Sequence, residues 1–134
     1  MSVICPRIVL IIDDNIDIRE CLQTFFEEEG FIVYVATHGR EGIEVLQRIE
    51  GSCLILLDLN MPVMNGREFL EKKRKLRLAH NSPVLVFSAT RTRHNETIEG
   101  ISEWINKPVD LNDFIDIVER YCGNGFIEDK QIDA

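Results

Sequence analysis

The sequence lacks the features of membrane, secreted and metal-thiolate proteins. No apolar run approaches the roughly 20 residues that a membrane-spanning helix needs, and no basic segment followed by an apolar one opens the chain as a secretory signal does. The four cysteines, Cys5, Cys21, Cys53 and Cys122, form no CxxC or other metal-binding spacing. Because Cys21, Cys53 and Cys122 fall at apolar positions of the pattern, we predict buried, reduced thiols and a cytoplasmic protein without membrane contact.

Positive charge is also scarce. Lys and Arg number 15 against 23 Asp and Glu, which gives a formal net charge of −8. Because phosphate backbones are bound by basic surfaces, we expect no nucleic-acid binding by this chain alone. The basic run at residues 72–75, with Arg77, is interpreted as the solvated side of a helix. With 45% hydrophobic and 28% charged residues, the composition indicates a folded domain rather than a disordered chain.

Short apolar runs alternate with helical patterns along the chain, without internal repeats or low-complexity segments before Gly123. Strands are predicted at residues 7–12, 31–36, 53–57, 83–88 and 104–105. Helical patterns follow at residues 18–26, 43–49, from about 65, weakly at 97–101, and at 111–122 with Asp110 as the N-cap. The near-continuous apolar strands indicate a parallel sheet covered on both faces. We therefore predict a doubly wound, five-stranded α/β fold with helices on both faces.

Chemistry is expected at the carboxyl ends of the strands, where sheets of this class bind ligands. The first strand ends at Asp13 and Asp14, the third at Asp58 and the fourth at Ser88, and Lys107 follows the fifth. Clustered carboxylates repel one another unless a cation joins them, and an oxygen-only set suits Mg²⁺. A carboxylate can also attack a phosphoryl group. One coherent mechanism has Asp58 as phosphoacceptor, Asp13 and Asp14 on the metal, and Ser88 with Lys107 on the phosphoryl oxygens.

Each of these residues alone also has a purely structural explanation. An Asp-Asp pair after a strand can cap a helix, and Ser88 can be an ordinary strand-end residue. Asp58, which is followed by Met-Pro and then Gly, can mark a turn, and Lys107-Pro108 can be a loop. Their combination, in order and on the right strand ends, is much more specific than any member. No neighbouring His, Cys or Ser base supports a hydrolytic triad.

Four motifs resemble those of the receiver domain of two-component response regulators, including the single-domain chemotaxis regulators. They are VLIIDDN at 9–15, LILLDLNMPVMNG at 54–66, PVLVFSA at 83–89 and WINKP at 104–108, within a resemblance that covers residues 7–122. The resemblance implies a flavodoxin-like (βα)₅ receiver fold and two-component signal transduction. It implies phosphorylation of Asp58 by a sensor histidine kinase or a histidine phosphotransfer protein. It also implies Mg²⁺ as the cofactor, held by Asp13, Asp14, Asp58 and the backbone carbonyl of Asn60.

The resemblance assigns three further roles. Ser88 takes the position of the hydroxyl, Lys107 that of the lysine, and Trp104 that of the switch aromatic on the fifth strand. Two departures stand out. The chain between Ser88 and Lys107 is shorter than the usual pattern by about one helical turn, and Trp104 is bulkier than the usual Tyr or Phe. From the first departure, we expect no partner that requires a full-length fourth helix.

The organisation predicted is a receiver domain at 1–122 and an acidic tail at 123–134. The printed sequence contains no effector domain, so we expect either a stand-alone receiver, such as a chemotaxis regulator or a phosphorelay intermediate, or the receiver part of a larger protein; its output partner is unknown. We expect no enzyme beyond self-catalysed phosphotransfer and dephosphorylation. The alternatives are a receiver-like binding module of a hybrid kinase or effector protein, a small aspartyl-phosphate phosphohydrolase and a flavodoxin. Asn60 argues against the phosphohydrolase, because it lies where such enzymes favour a second carboxylate. Asp-Asp-Asn after the first strand argues against a flavin-phosphate loop.

Overall fold

The computed structural model describes residues 8–79, 81–88, 100–106 and 110–122. Within them, one parallel sheet has the strand order β2-β1-β3-β4-β5. Its strands are β1 (Ile8–Ile12), β2 (Ile32–Ala36), β3 (Leu54–Asp58), β4 (Val84–Ser88) and β5 (Glu103–Asn106). The helices of the described residues are α1 (Ile16–Glu28), α2 (Gly39–Leu46), α3 (Gly66–Lys75) and α4 (Leu111–Cys122). The strand order reverses between β1 and β3, which is where sheets of this kind open a binding crevice.

Side chains of the strands alternate between two cores, one on each face of the sheet. The core under α2 and α3 includes Leu10, Ile55 and Val86, with Phe69 from α3. The core under α1 and α4 is built around aromatic rings, and Phe114 packs edge-on against Phe25, Phe26 and Phe87. Every residue of β3 and β4 is buried, which explains their continuous apolar sequences. The prediction of a doubly wound parallel sheet is therefore confirmed.

Polar side chains fix the points at which the chain turns from strand to helix. Asn15, His38 and Asn65 each accept a hydrogen bond from the backbone N–H three residues later, at the starts of α1, α2 and α3. Asp110 accepts from the N–H groups of residues 112 and 113, which confirms it as the N-cap of α4. Because α1, α2 and α3 begin soon after β1, β2 and β3 end, their caps hold the loops at the carboxyl edge of the sheet.

Two expectations about side-chain burial are wrong. Cys21 is exposed, whereas Cys53 is buried as predicted. Cys21 lies about 100° around the helix from Leu22, away from the stripe that packs on the sheet. In the basic run, Lys73 is only 8% exposed, because it lies on the same face of α3 as Phe69, four residues earlier. Burial lowers the pKa of the Lys73 ammonium and raises the pKa of the Cys53 thiol to about 11.

Two other expectations concern segments at the margin of the described residues. The weak helix predicted at 97–101 lies mainly outside them, and Gly100 and Ile101, which are described, are not helical. The tail predicted at 123–134 lies wholly outside them. In the described part of the chain, no helix has the length and apolar character required to cross a membrane.

Candidate functional site

The turn after β1 carries two aspartates in different environments. Asp13 is 2% exposed, whereas Asp14 is exposed to solvent. The Asp13 N–H donates to the carbonyl of Ala36 at 3.1 Å, which ties the turn to the end of β2. Its Oδ1 accepts from the N–H of Asn15 at 2.8 Å, and its backbone carbonyl accepts from Nη1 of Arg19 at 2.9 Å. Asp13 is thus rigidly held, and Asp14 projects from it.

Asp58 is the last residue of β3 and is 5% exposed. Its Oδ1 accepts from the N–H of Asn60 at 3.3 Å. The loop then returns so closely that the N–H of Gly66 donates to the carbonyl of Leu59 at 2.9 Å. A Cβ on Gly66 would lie 2.8 Å from the Asp58 carbonyl oxygen and from Cα of Leu59. Only glycine fits there, so Gly66 allows α3 to start directly beside the carboxylate.

The three carboxylates meet at the switch point of the sheet. One oxygen from each of Asp13, Asp14 and Asp58 lies within 4.8 Å of the others. Two of these groups are almost withdrawn from water, so solvent does little to screen their mutual repulsion. The donor set consists of hard oxygens with few protein ligands, which fits Mg²⁺ because this ion keeps several waters. The cluster therefore fits a magnesium site with open coordination positions.

The end of β4 adds a hydroxyl. Ser88 is the last residue of β4 and is fully buried. Trp104 lies on β5 in register with Val86 and packs, partly buried, against the core under α2 and α3. Ser88 follows Val86 by two residues, so Ser88 and Trp104 are on the same face of the sheet. Among the described residues, the Trp104 Nε1 has no hydrogen-bond partner, although it is buried. Lys107 lies outside the described residues.

The loop between β3 and α3 contains a strained turn. The N–H of Met64 donates to the carbonyl of Pro62 at 2.7 Å, which closes a γ-turn around Val63, whose φ is 69°. The carbonyl of Met64 in turn accepts from the N–H of Gly39 at 2.9 Å. A Cβ on Gly39 would lie 2.5 Å from that carbonyl oxygen. The start of α2 is therefore clamped against the loop that follows Asp58.

Sequence reasoning missed two residues at this edge, Arg19 and Gly39. Arg19 lies one turn into α1. Because helical side chains lean toward the N-terminus of the helix, the position of this arginine after a strand-end aspartate could have predicted the contact between them. Gly39 gave no such signal, because its close contact is with Met64, which is distant in sequence. Long-range backbone contacts of this kind have no local sequence pattern.

The sequence profile of the response regulator receiver domain matches residues 9–119. The chain belongs to this family. It is therefore a receiver domain of two-component signalling, which confirms the family and the function that the four motifs predicted. Membership in this family supports a signalling domain rather than a classical enzyme.

Relatives and solved structures agree with the assignment. An uncharacterised 14.6 kDa protein of Leptolyngbya boryana is 31% identical over 125 residues, 91% of this chain and 95% of that protein. The chemotaxis response regulator CheY4 of Vibrio cholerae has a TM-score of 0.77 at 26% identity, covering 89% of this receiver and 99% of CheY4. Other curated relatives, named as transcriptional or response regulators, are longer, and this chain spans 34–57% of their length.

A second solved structure contains a partner. The receiver domain of the Saccharomyces cerevisiae response regulator Ssk1, crystallised with the histidine phosphotransfer protein Ypd1, has a TM-score of 0.77. It is 20% identical to this chain, and the match covers 92% of this receiver and 93% of that chain. At this identity, the likeness shows that the two chains share a fold.

Proposed function

We propose that this receiver accepts a phosphoryl group on Asp58 from a phosphohistidine of a partner protein. A carboxylate oxygen of Asp58 forms the new bond to phosphorus while the bond from phosphorus to the donor imidazole breaks. The observation that carries the proposal is the position of Asp58: it ends a buried strand, is 5% exposed and lies within 4.8 Å of two other carboxylates. An aspartate that only marked a turn would not be placed where its charge is so poorly solvated.

Asp13, Asp14 and Asp58 would hold Mg²⁺, together with the backbone carbonyl of Asn60. When bound, the ion neutralises charge on the transferring phosphoryl oxygens. The exposed Asp14 gives the ion access from solvent, whereas the buried Asp13 and Asp58 form the fixed side of the site. Without a cation, the three carboxylates repel one another, so ion binding relieves strain that the fold imposes.

Ser88 and Lys107 would bind the phosphoryl oxygens, and Trp104 would respond to that binding. Ser88 and Trp104 share one face of the sheet, two register positions apart. Movement of the Ser88 hydroxyl toward the phosphoryl group would change the packing beside β5, so that the Trp104 ring would turn from an outward to an inward orientation. If these two orientations differ only slightly in free energy, phosphorylation is enough to shift their populations. This switching role makes Trp104 the reporter of the phosphorylated state.

The partners we propose are a sensor histidine kinase or a histidine phosphotransfer protein, as in the Ssk1–Ypd1 crystal structure. Two exposed apolar residues flank the acidic cluster in sequence: Ile16, at the start of α1, is 55% exposed, and Val63, in the loop after β3, is 64% exposed. Each follows a strand whose carboxyl end carries part of the acidic cluster, and there an apolar partner helix can cover them and exclude water from the transfer.

We propose that residues 1–122 form the receiver and that 123–134 form an acidic tail. The protein would act in the cytoplasm, without nucleic-acid binding by this chain, and its catalysis would be limited to its own phosphorylation and dephosphorylation. Asn60 supports that limit, because an amide cannot serve as the acid-base group that a phosphohydrolase requires.

The test is phosphorylation by a small donor. Folded protein is incubated with Mg²⁺ and acetyl phosphate, and its intact mass is measured; we expect the addition of one phosphoryl group. The Asp58→Asn variant removes the nucleophile with little change in shape and should show no addition, and chelation of Mg²⁺ should suppress the reaction in the wild type. A folded, Mg²⁺-supplied wild type that gains no mass would contradict the proposal, as would an Asp58→Asn variant that gains it.

A further inference from the structure

The geometry points to Arg19 as a positioning residue of the metal site. We infer that its guanidinium, bonded to the backbone carbonyl of Asp13, sets the direction in which Asp14 presents its carboxylate to Mg²⁺. The inference rests on the proposed function, in that it takes the acidic cluster to bind a divalent cation. In this role Arg19 would act through the Asp13 carbonyl and would contact neither the cation nor the phosphoryl group.

Asp13 is fixed independently of Arg19 at two other points. Its N–H is bonded to Ala36, and its Oδ1 to the N–H of Asn15. These bonds hold the Asp13 side chain and the end of β1, and the bond to Asn15 also closes the turn around the peptide that leads onward to Asp14. The carbonyl of that peptide is the atom that Arg19 binds, at 2.9 Å.

Asp14 depends on this peptide for its orientation. It is exposed, and within the described ranges no residue is seen to hydrogen-bond to its carboxylate. Because a peptide unit is planar, fixing the Asp13 carbonyl also fixes the N and Cα of Asp14. The bond from Arg19 is therefore a restraint on the direction of the Asp14 side chain, supplied from outside the turn.

Arg19 is held in place from two sides. Its own N–H is bonded to the carbonyl of Asn15 at 3.0 Å in the first turn of α1. Its charge is also close enough to the Glu41 carboxylate to contribute, after the hydrogen bonds from Thr37 and the charge of His38, to lowering the pKa of Glu41. Glu41 accepts from Thr37 at 2.6 and 2.8 Å, so the guanidinium is drawn toward an anchored group on α2.

The charge of Arg19 gives the inference a test with a definite sign. A positive charge beside a cation site weakens cation binding, so its removal should tighten Mg²⁺ binding if charge is all that Arg19 contributes. A positioning role predicts the opposite. Loss of an outer-shell partner commonly lowers metal affinity by about 10-fold or more, so we expect Arg19→Met to bind Mg²⁺ about 10-fold more weakly than the wild type.

The experiment titrates each folded protein with Mg²⁺ alone by calorimetry and measures the rise in melting temperature that saturating Mg²⁺ produces. Arg40→Met is the matched control, because Arg40 is an exposed arginine in the first turn of α2 without a hydrogen bond to the acidic turn. It removes the same charge and should bind Mg²⁺ as tightly as the wild type or slightly more tightly. Arg19→Lys, which retains a charged donor, should recover much of the lost affinity.

The outcomes separate the two proposals. If the wild type binds no Mg²⁺, the proposed metal site itself is wrong. If the wild type binds Mg²⁺ and Arg19→Met binds it equally or more tightly, the positioning role is wrong and the metal site stands. Equal weakening in Arg40→Met would also overturn the positioning role. If Arg19→Met does not fold, Arg19→Gln, which is neutral and too short to reach the carbonyl in the same way, is judged by the same criterion.

Discussion

Replacing Val63 by glycine should stabilise this receiver, although the change deletes a side chain. Val63 has a φ of 69°, a conformation that a β-branched residue adopts at a penalty of about 1–2 kcal/mol. Because the side chain is 64% exposed, its removal forfeits little apolar burial. Glycine also lowers the free energy of unfolding by about 0.5–1 kcal/mol, because it has more conformational freedom in the unfolded chain. The net expectation is a gain of about 0.5–1 kcal/mol in the free energy of unfolding.

Urea denaturation followed by circular dichroism measures this gain, and a parallel thermal scan should show a melting temperature higher by about 2–4 °C. Val63→Ala is the control. Alanine loses the branched side chain but keeps a Cβ, so it still strains the turn and should gain less than glycine. If Val63→Gly is neutral or destabilising, or if Val63→Ala stabilises as much, the strain assigned to the γ-turn is not present.

Three further predictions concern other parts of the molecule. Arg77 has a φ of 56° after α3, where the N–H of residue 78 bonds to the carbonyl of Lys73 at 3.0 Å, so Arg77→Gly should raise the free energy of unfolding by about 0.5–1 kcal/mol in urea titration; a loss of stability would contradict the left-handed cap. Hydrogen bonds from Thr37 lower the pKa of Glu41 below its ordinary value of 4.5. The ionised Glu41 carboxylate therefore stabilises the folded state fully at neutral pH, and this stabilisation is lost as the pH falls through the lowered pKa. Glu41→Gln should therefore be less stable than the wild type at pH 7 by under about 1 kcal/mol, with the difference shrinking as the pH falls below 4.5; a difference that is constant with pH would refute it. Beryllofluoride with Mg²⁺ should change the fluorescence of Trp104 saturably in the wild type and not in Ser88→Ala; an unchanged spectrum, with binding of the mimic shown independently, would make Trp104 a packing residue only.

Much of the fold and the acidic centre of the site could be predicted from the sequence, because both are encoded in local patterns. The continuous apolar runs of β3 and β4 indicate strands buried on both faces. In a parallel sheet, the carboxyl ends of the strands share one edge, so the sequence alone predicts that Asp13, Asp14 and Asp58 meet there. The structure brings these three together within 4.8 Å.

Other features could not be predicted, because they arise from tertiary packing. Lys73 belongs to a basic run that looks solvated, yet the orientation of α3 buries it beside the core. Cys21 is in an apolar pattern but lies off the stripe of α1 that faces the sheet. The contact between Gly39 and Met64 joins the start of α2 to the loop after β3, and the two residues lie 25 positions apart in the printed sequence. In each case, tertiary geometry rather than local propensity decides the environment.

The central claim is that Asp58, and no other residue, carries the phosphoryl group. In the most direct measurement, the protein is treated with acetyl phosphate and then with borohydride, which reduces an acyl phosphate on aspartate to homoserine. Peptide mass spectrometry then locates the changed residue. We predict homoserine at position 58 alone, in wild-type protein treated in the presence of Mg²⁺, and none when Mg²⁺ is chelated. Phosphate that resists borohydride and maps to a histidine or serine, or homoserine at position 13 or 14 instead of 58, would contradict the account.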